Sequence, residues 1–195
     1  NILLLSAGRR NLLVRYFKES LSKSGGKLFA ADCSPTAPAL YDADGSFMVP
    51  PFSHQDYIDT IIRLCTENGI NTILSVIDSE LSILAENYDR LKAAGIFPLV
   101  SGKEAVEICF DKYLLHTFLL EHGFRSIPSF ISLEEVEEKL RLGALCFPLF
   151  LKPRKGSASI GLAKVDTLEQ LRMAFSKEPG MMIQPFITAQ EWGVD

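Results

Sequence analysis

The sequence predicts an α/β protein in which a parallel-sheet domain is followed by a smaller α+β unit. Residues 1 to about 100 alternate apolar runs of strand length with segments of helical apolar spacing, the βαβαβα order of a parallel sheet with right-handed crossovers. Beyond residue 125 the order becomes βαββαββ, which fits a mixed sheet with helices on one face. Glycine and proline punctuation falls between these segments, and no internal repeat or low-complexity stretch interrupts them. The expected domains are residues 1–110 and 111–195.

Ile2 to Ser6 is a buried-strand run, and Ala7-Gly8-Arg9-Arg10 is a turn. Asn11 to Ser22 has helical spacing in Leu12, Leu13, Tyr16, Phe17 and Leu21, and Gly25-Gly26 stops it. Lys27 to Ala31 is a second strand ending at Asp32, and Ser46 to Val49 is a further short run. Asp56 to Asn68 places Tyr57, Ile58, Ile61, Ile62, Leu64 and Cys65 on one helical face, with Gly69 as its stop. Thr72 to Val76 is a strand, and Asp78 or Ser79 can cap a helix running to about Ala94. The strand ends at Ser6, Asp32 and Val76 should line one crevice, because parallel sheets place ligands beyond their carboxyl ends.

Two helical segments follow, Gly102 to Phe110 and Asp111 to Glu121, and His122-Gly123 ends the second. Ser129 to Ile131 is a short strand, and Ser132 with Glu135 has the form of a capping box for a helix to about Leu142. Phe147 to Leu151 and Leu162 to Val165 flank a loop of small residues, which predicts a β-hairpin with a long tip. Asp166 can cap a helix from Thr167 to about Lys177, Met181 to Ile187 is a strand run, and Glu191 to Asp195 begins another.

Chemistry concentrates at the hairpin tip, K-P-R-K-G-S-A-S-I-G, residues 152–161. Lys152, Arg154 and Lys155 supply three cations, Ser157 and Ser159 two hydroxyls, and Gly156 and Gly161 a backbone free to close on phosphate oxygens. Polyphosphate is the ligand such a tip suits, and a solvated hairpin tip is the alternative. The order is not that of a P-loop, and the loop lies between strands rather than before a helix. In the first domain S-A-G-R-R-N has only Gly8 where a dinucleotide fingerprint needs three small positions. Arg9 and Arg10 open a helix and are either an anion site or a surface pair.

Composition narrows the classes. With 195 residues, 47% hydrophobic and 23% charged, the chain can bury a sizeable core. A net charge of −4 opposes general nucleic-acid binding, so the basic tip is local. No apolar run reaches the ~18 residues of a membrane span, and Asn1 to Leu5 lacks the basic flank of a signal peptide. The start without Met suggests a removed or missing initiator. Cys33, Cys65, Cys109 and Cys146 form no C-x-x-C pair, which fits reduced thiols in a cytoplasm. His54, His116 and His122 are scattered and form no triad or metal constellation.

Taken together, D-K at 111–112, F-P-L-F-L-K-P at 147–153, the Gly/Ser tip, I-Q-P-F-I at 183–187 and E-W-G-V-D at 191–195 resemble the ATP-grasp ligases. The likeness is to the members similar to the carbamoyl-phosphate-synthetase large subunit and biotin carboxylase. L-L-L-S-A-G-R-R, A-A-D-C-S-P, Y-D-A-D and D-S-E-L look like the Rossmann-like pre-ATP-grasp domain of that group, followed by the lid subdomain of the ATP-grasp fold. The resemblance implies that Lys112 reaches the phosphates, and that Lys152 contacts the α-phosphate and adenine N7. It implies that loop 155–161 folds over the β- and γ-phosphates. Gln184, Phe186 and Ile187 would form the adenine edge, and Glu191 would bond the ribose; Asp195 matches without a role.

The implied activity is conversion of a carboxylate to an acyl phosphate for attack by an amine or another nucleophile. The implied partners are ATP, Mg²⁺, and a small carboxylate or amine, with no nucleic acid and no membrane. Family members continue past this point with a half that carries the Mg²⁺ ligands. The sequence is therefore expected to be truncated or split, with a second copy or a partner chain as a possible source of the missing half. A non-catalytic nucleotide-binding module and a Rossmann-like domain for another small anion are the alternatives.

Overall fold

The computed structural model describes residues 1–156, 159–190 and 192. Asp195, Glu191 and Ser157, singled out above, lie outside the described residues. The chain forms two compact units, Asn1–Val106 and Glu107–Asp195.

The first unit is built on five parallel strands, β1 (Ile2–Leu4), β2 (Leu28–Asp32), β3 (Gly45–Met48), β4 (Thr72–Leu74) and β5 (Phe97–Pro98), in the order β3-β2-β1-β4-β5. Period-two alternation sorts the side chains onto two cores. Leu3, Leu5, Ala31 and Ile73 join a cluster with Tyr57, Ile61, Leu84 and Leu91, while Leu4, Leu28, Ala30 and Leu74 join one with Val14 and Leu40. Both faces of the sheet are therefore covered, as apolar parallel strands require. The helices are α1 (Asn11–Ser22), α2 (Tyr57–Glu67), α3 (Asp78–Glu86) and α4 (Tyr88–Ala93).

Three local expectations are corrected here. Leu12 and Tyr16 lie on the solvent side of α1, and Leu13, Val14, Phe17 and Leu21 make its inward face. The helix expected to run unbroken to about Ala94 breaks at Asn87, whose side-chain amide and backbone N–H both donate to Ile83 O, at 2.9 and 3.1 Å. Asparagine competes in this way with helix continuation. Neither Asp78 nor Ser79 caps α3; the capping position is Ile77, which has no side-chain cap.

The second unit begins within α5 (Lys103–Phe110) and continues through α6 (Lys112–Glu121) and α7 (Leu133–Arg141). Its sheet has β6 (Leu149–Pro153) at the centre, flanked by β7 (Ala163–Val165) and β8 (Met181–Pro185), with α8 (Leu168–Lys177) between the outer strands in sequence. Both pairings are antiparallel, so the sheet is not mixed. The hairpin fixes the first pairing, and the α8 crossover carries β8 to the other side of β6. The expected strand Ser129–Ile131 reduces to one bridge, Phe130 to Ile183. Ser132 accepts from the Glu135 amide at 3.2 Å, and its hydroxyl donates to Glu134 instead of completing the box with Glu135. Thr167 rather than Asp166 caps α8, accepting from the Gln170 amide at 3.2 Å. One face of the sheet, with Leu149, Leu151, Val165, Met181 and Ile183, packs with Val136 of α7 and Leu171 of α8.

Candidate functional site

Alternation along these strands leaves the other face to Phe150, Lys152, Lys164, Met182 and Gln184. Lys152 sits opposite Met182, and Phe150 opposite both Gln184 and Lys164. The Lys152 side chain thus starts from the face away from the packed core and is only half-buried there.

A cavity of about 190 Å³ opens beside this face, lined by Lys112, Phe150, Lys152, Pro153, Gly156, Ser159, Ile160 and Leu162. Four of the predicted site residues meet there: Lys112, Lys152, Gly156 and Ser159. The tip needs its glycines. Gly156 and Gly161 have φ of 116° and 73°. At Gly161 an added Cβ would lie 2.9 Å from Pro153 Cγ, so a side chain is excluded both by backbone and by space. Ser159 takes φ 58° despite its Cβ.

The two lysines of the cavity differ in their surroundings. Lys112 Nζ donates to the carbonyls of Gly156 at 2.7 Å and Arg154 at 3.3 Å. Lys152 has no carboxylate partner among the described residues. Burial, and then the nearby Lys112 ammonium, hold its pKa below that of an ordinary lysine. Two like charges converge on one small space, with no acidic side chain among the described residues that line it.

Arg154 and Lys155, counted above among the cations of the tip, are committed elsewhere. Arg154 donates from Nε and Nη2 to the two oxygens of Asp111, at 3.1 and 2.7 Å, and its guanidinium lies 5.4 Å from the Tyr113 ring. Lys155 Nζ bonds Glu107 at 2.8 Å and lies over the Phe110 ring. Strand alternation would put Lys152 and Arg154 on one face, but β6 ends at Pro153, so the parity does not carry on to Arg154.

Gln184 is buried, and its Nε2 donates to Ser129 Oγ at 2.7 Å. No described residue donates to its Oε1, so the amide keeps an acceptor. The Phe186 N–H is bonded to Pro148 O at 3.0 Å, and its ring lies 6.1 Å from that of Phe150 with the Lys164 ammonium 4.9 Å above it. Ile187 is exposed, and its N–H has no partner among the described residues. Phe150 and Asp111 stand in the motifs quoted above but, like Lys164, had no role assigned from sequence. The strand register would have given Phe150 and Lys164, and the D-K order Asp111.

In the first unit, the carboxyl ends of β1, β2 and β4 lie side by side. Asp32 accepts from the Gly8 and Ser34 amides, each at 2.8 Å, which ties the end of β2 to the turns after β1 and β2. Arg10 Nη1 donates to Ser6 O at 3.0 Å, while Arg9 is exposed. Glu80 is fully buried and accepts from the hydroxyls of Ser6, Tyr57 and Ser75. Burial, with the Glu80 carboxylate beside it, pushes the Tyr57 phenol up.

Among the described residues no group of three or more His, Cys, Asp or Glu side chains could hold a metal ion. Asp111 and Glu107 are paired with Arg154 and Lys155. The described residues do not fit a Mg²⁺ site. Among them, too, no helix is long and apolar enough to cross a membrane.

Comparison with known proteins gives this geometry a context. Residues 2–99 match the family described as PylC-like, N-terminal domain. A D-alanine–D-alanine ligase of Bacteroides fragilis is 34% identical over 101 residues, 46% of this chain and 30% of that protein. The fold matches N5-carboxyaminoimidazole ribonucleotide synthetase from Thermus thermophilus with a TM-score of 0.69 and 21% identity, covering 96% of this chain and 47% of the other. It also matches the biotin carboxylase domain dimer of Hydrogenobacter thermophilus 2-oxoglutarate carboxylase, in complex with MgADP, ADP and bicarbonate. There the TM-score is 0.71 and the identity 19%, over 95% of this chain and 44% of that one. The chain thus spans about half the length of the matched structures and less of the matched ligase. Its fold is that of about half of each of these two structures.

Proposed function

We propose that this chain, which belongs to the PylC-like, N-terminal domain family, is the ATP-binding part of an ATP-grasp ligase. In this reading the intact protein activates a carboxylate as an acyl phosphate for attack by an amine or other nucleophile, in the manner of carbamoyl-phosphate synthetases. The observation that carries it is the pair Lys112 and Lys152, which converge on one cavity with no carboxylate among its described lining residues. A cation held out of bulk water beside phosphate gains on the order of 4 kcal/mol at 4 Å and intermediate dielectric, several times its worth in water.

Each residue has a task in this reading. Lys112 and Lys152 neutralise phosphate charge, and Gly156 and Gly161 let the tip close over it. Phe150 offers an apolar wall to a base, Gln184 its open acceptor to an exocyclic amine, and the Ile187 N–H a donor to a ring nitrogen. Acyl-phosphate formation asks for positioning and charge neutralisation rather than a protein nucleophile. No step is assigned to Mg²⁺, because the described residues offer it no site.

The test is made on the intact protein with its carboxylate supplied. ADP and phosphate are the expected products, and hydroxylamine should trap the acyl phosphate as a hydroxamate. AMP and pyrophosphate would contradict the ligase mechanism. Nucleotide binding without any turnover would favour a non-catalytic binding module.

A further inference from the structure

We propose that Asp111 and Arg154 are positioning residues, which form a strut that sets where the Lys112 and Lys152 ammoniums stand. This rests on the nucleotide-binding reading above and goes beyond it, because neither residue lines the cavity that holds the two lysines.

Asp111 side-chain oxygens take four hydrogen bonds. Its Oδ1 accepts from the Tyr113 and Leu114 amides at 2.9 and 3.3 Å, capping α6, and the carboxylate also takes both prongs of Arg154. Its side chain is 4% exposed, against 29% for Arg154. Arg154 is tied through its backbone as well: its N–H donates to Gly180 O at 2.9 Å, and its carbonyl accepts from the Lys112 N–H at 3.0 Å. One residue thus joins the start of α6, the end of β6 and the turn before β8. Lys112 directly follows Asp111, and Lys152 lies two residues before Arg154. The link therefore joins the two points from which the ammoniums project.

The strut answers an electrostatic problem. A carboxylate one residue from Lys112 would otherwise be its natural partner and would cancel the charge a phosphate needs. Arg154 occupies that carboxylate bidentately, a geometry lysine cannot reproduce. The arginine charge that the sequence offered to the phosphate is spent in keeping Asp111 away from Lys112. The two lysines keep theirs.

The test uses Asp111→Asn, because asparagine still caps a helix but cannot hold the guanidinium as an anion. Arg154→Lys is the second variant, keeping the charge and losing the fork. Binding of ATP, tripolyphosphate and adenosine to the chain is followed by NMR titration, with melting temperature recorded alongside. Each variant is expected to weaken ATP and tripolyphosphate about 5- to 20-fold and to leave adenosine within twofold of wild type. Equal losses for adenosine and tripolyphosphate would show general loosening of the unit and overturn the positioning role. Unchanged tripolyphosphate affinity in a folded variant would overturn it too. If the unaltered chain bound neither ATP nor tripolyphosphate, the nucleotide reading itself would fall, and this proposal with it.

Discussion

Lys152 carries a charge that its surroundings oppose. Its pKa lies below the usual lysine value because burial, and then Lys112, oppose its charge. Between that lowered value and the unfolded value of 10.5 the unfolded chain binds more protons, so stability rises with pH through this window. Lys152→Met should abolish that rise and raise the melting temperature of the nucleotide-free chain at neutral pH by about 1–2 °C, the size of a sub-kcal change in a chain of this length. Calorimetry at pH 7 and pH 10 checks both effects. Lys152→Ala should weaken ATP about tenfold, through loss of a charge-assisted contact. Lys155→Ala should do less, because its ammonium already bonds Glu107; titration of the two variants side by side is the check. Lys112 and Lys152 were legible in the sequence because each sits in a short motif tied to a helix start or a strand end. The fate of Arg154 was not, because its partner Asp111 is far away in the chain and only the folded sheet brings them together.

Among the elements, those with a strong period were legible and those held by tertiary contacts were not. Helix α1 spans the same residues as expected, Asn11–Ser22. Strand β5 escaped notice because it is two residues long and contains Pro98, which an edge strand tolerates. The link through Glu80 of α3 to Ser6 after β1, Tyr57 of α2 and Ser75 after β4 also escaped, since D-S-E-L reads as a helix start and says nothing of hydroxyls that lie up to 74 residues away. Glu80→Ala would leave those hydroxyls without their acceptor in a buried site. It should destabilise the first unit by about 3–5 kcal/mol, measured by urea titration. A loss below about 1 kcal/mol would mean that the network is dispensable. At the start of α6, burial pushes the Asp111 carboxyl up, but the Arg154 guanidinium and two amides outweigh it and hold it below its ordinary 3.8. Its contribution is therefore fully present above 3.8 and is lost as pH falls through the lower folded value. The stability gap between wild type and Asp111→Asn should be constant from pH 7 to about pH 5 and close in stronger acid.

For the whole molecule, alternation of strands and helices was enough to give the parallel sheet and the smaller unit after it. What the alternation could not give was the neighbour of β8: beside β6 its pairing is antiparallel, whereas beside β7 it would be parallel and the sheet mixed. In the proposed reading the second unit is a polyphosphate-binding surface, with cations and backbone in place but no metal ligands among the described residues. In an open site, salt screens such cations over roughly 8–10 Å, so binding by this chain alone should be weak. The most direct measurement is a titration of residues 1–195 with ATP, repeated with Lys152→Ala. The expected result is a dissociation constant on the order of 0.1–1 mM, with chemical-shift changes at Lys112, Lys152, Gly156 and Gln184, about tenfold weakening in the variant, and no turnover. Absence of binding at about 10-fold higher ATP, or equal affinity in the variant, would contradict the account.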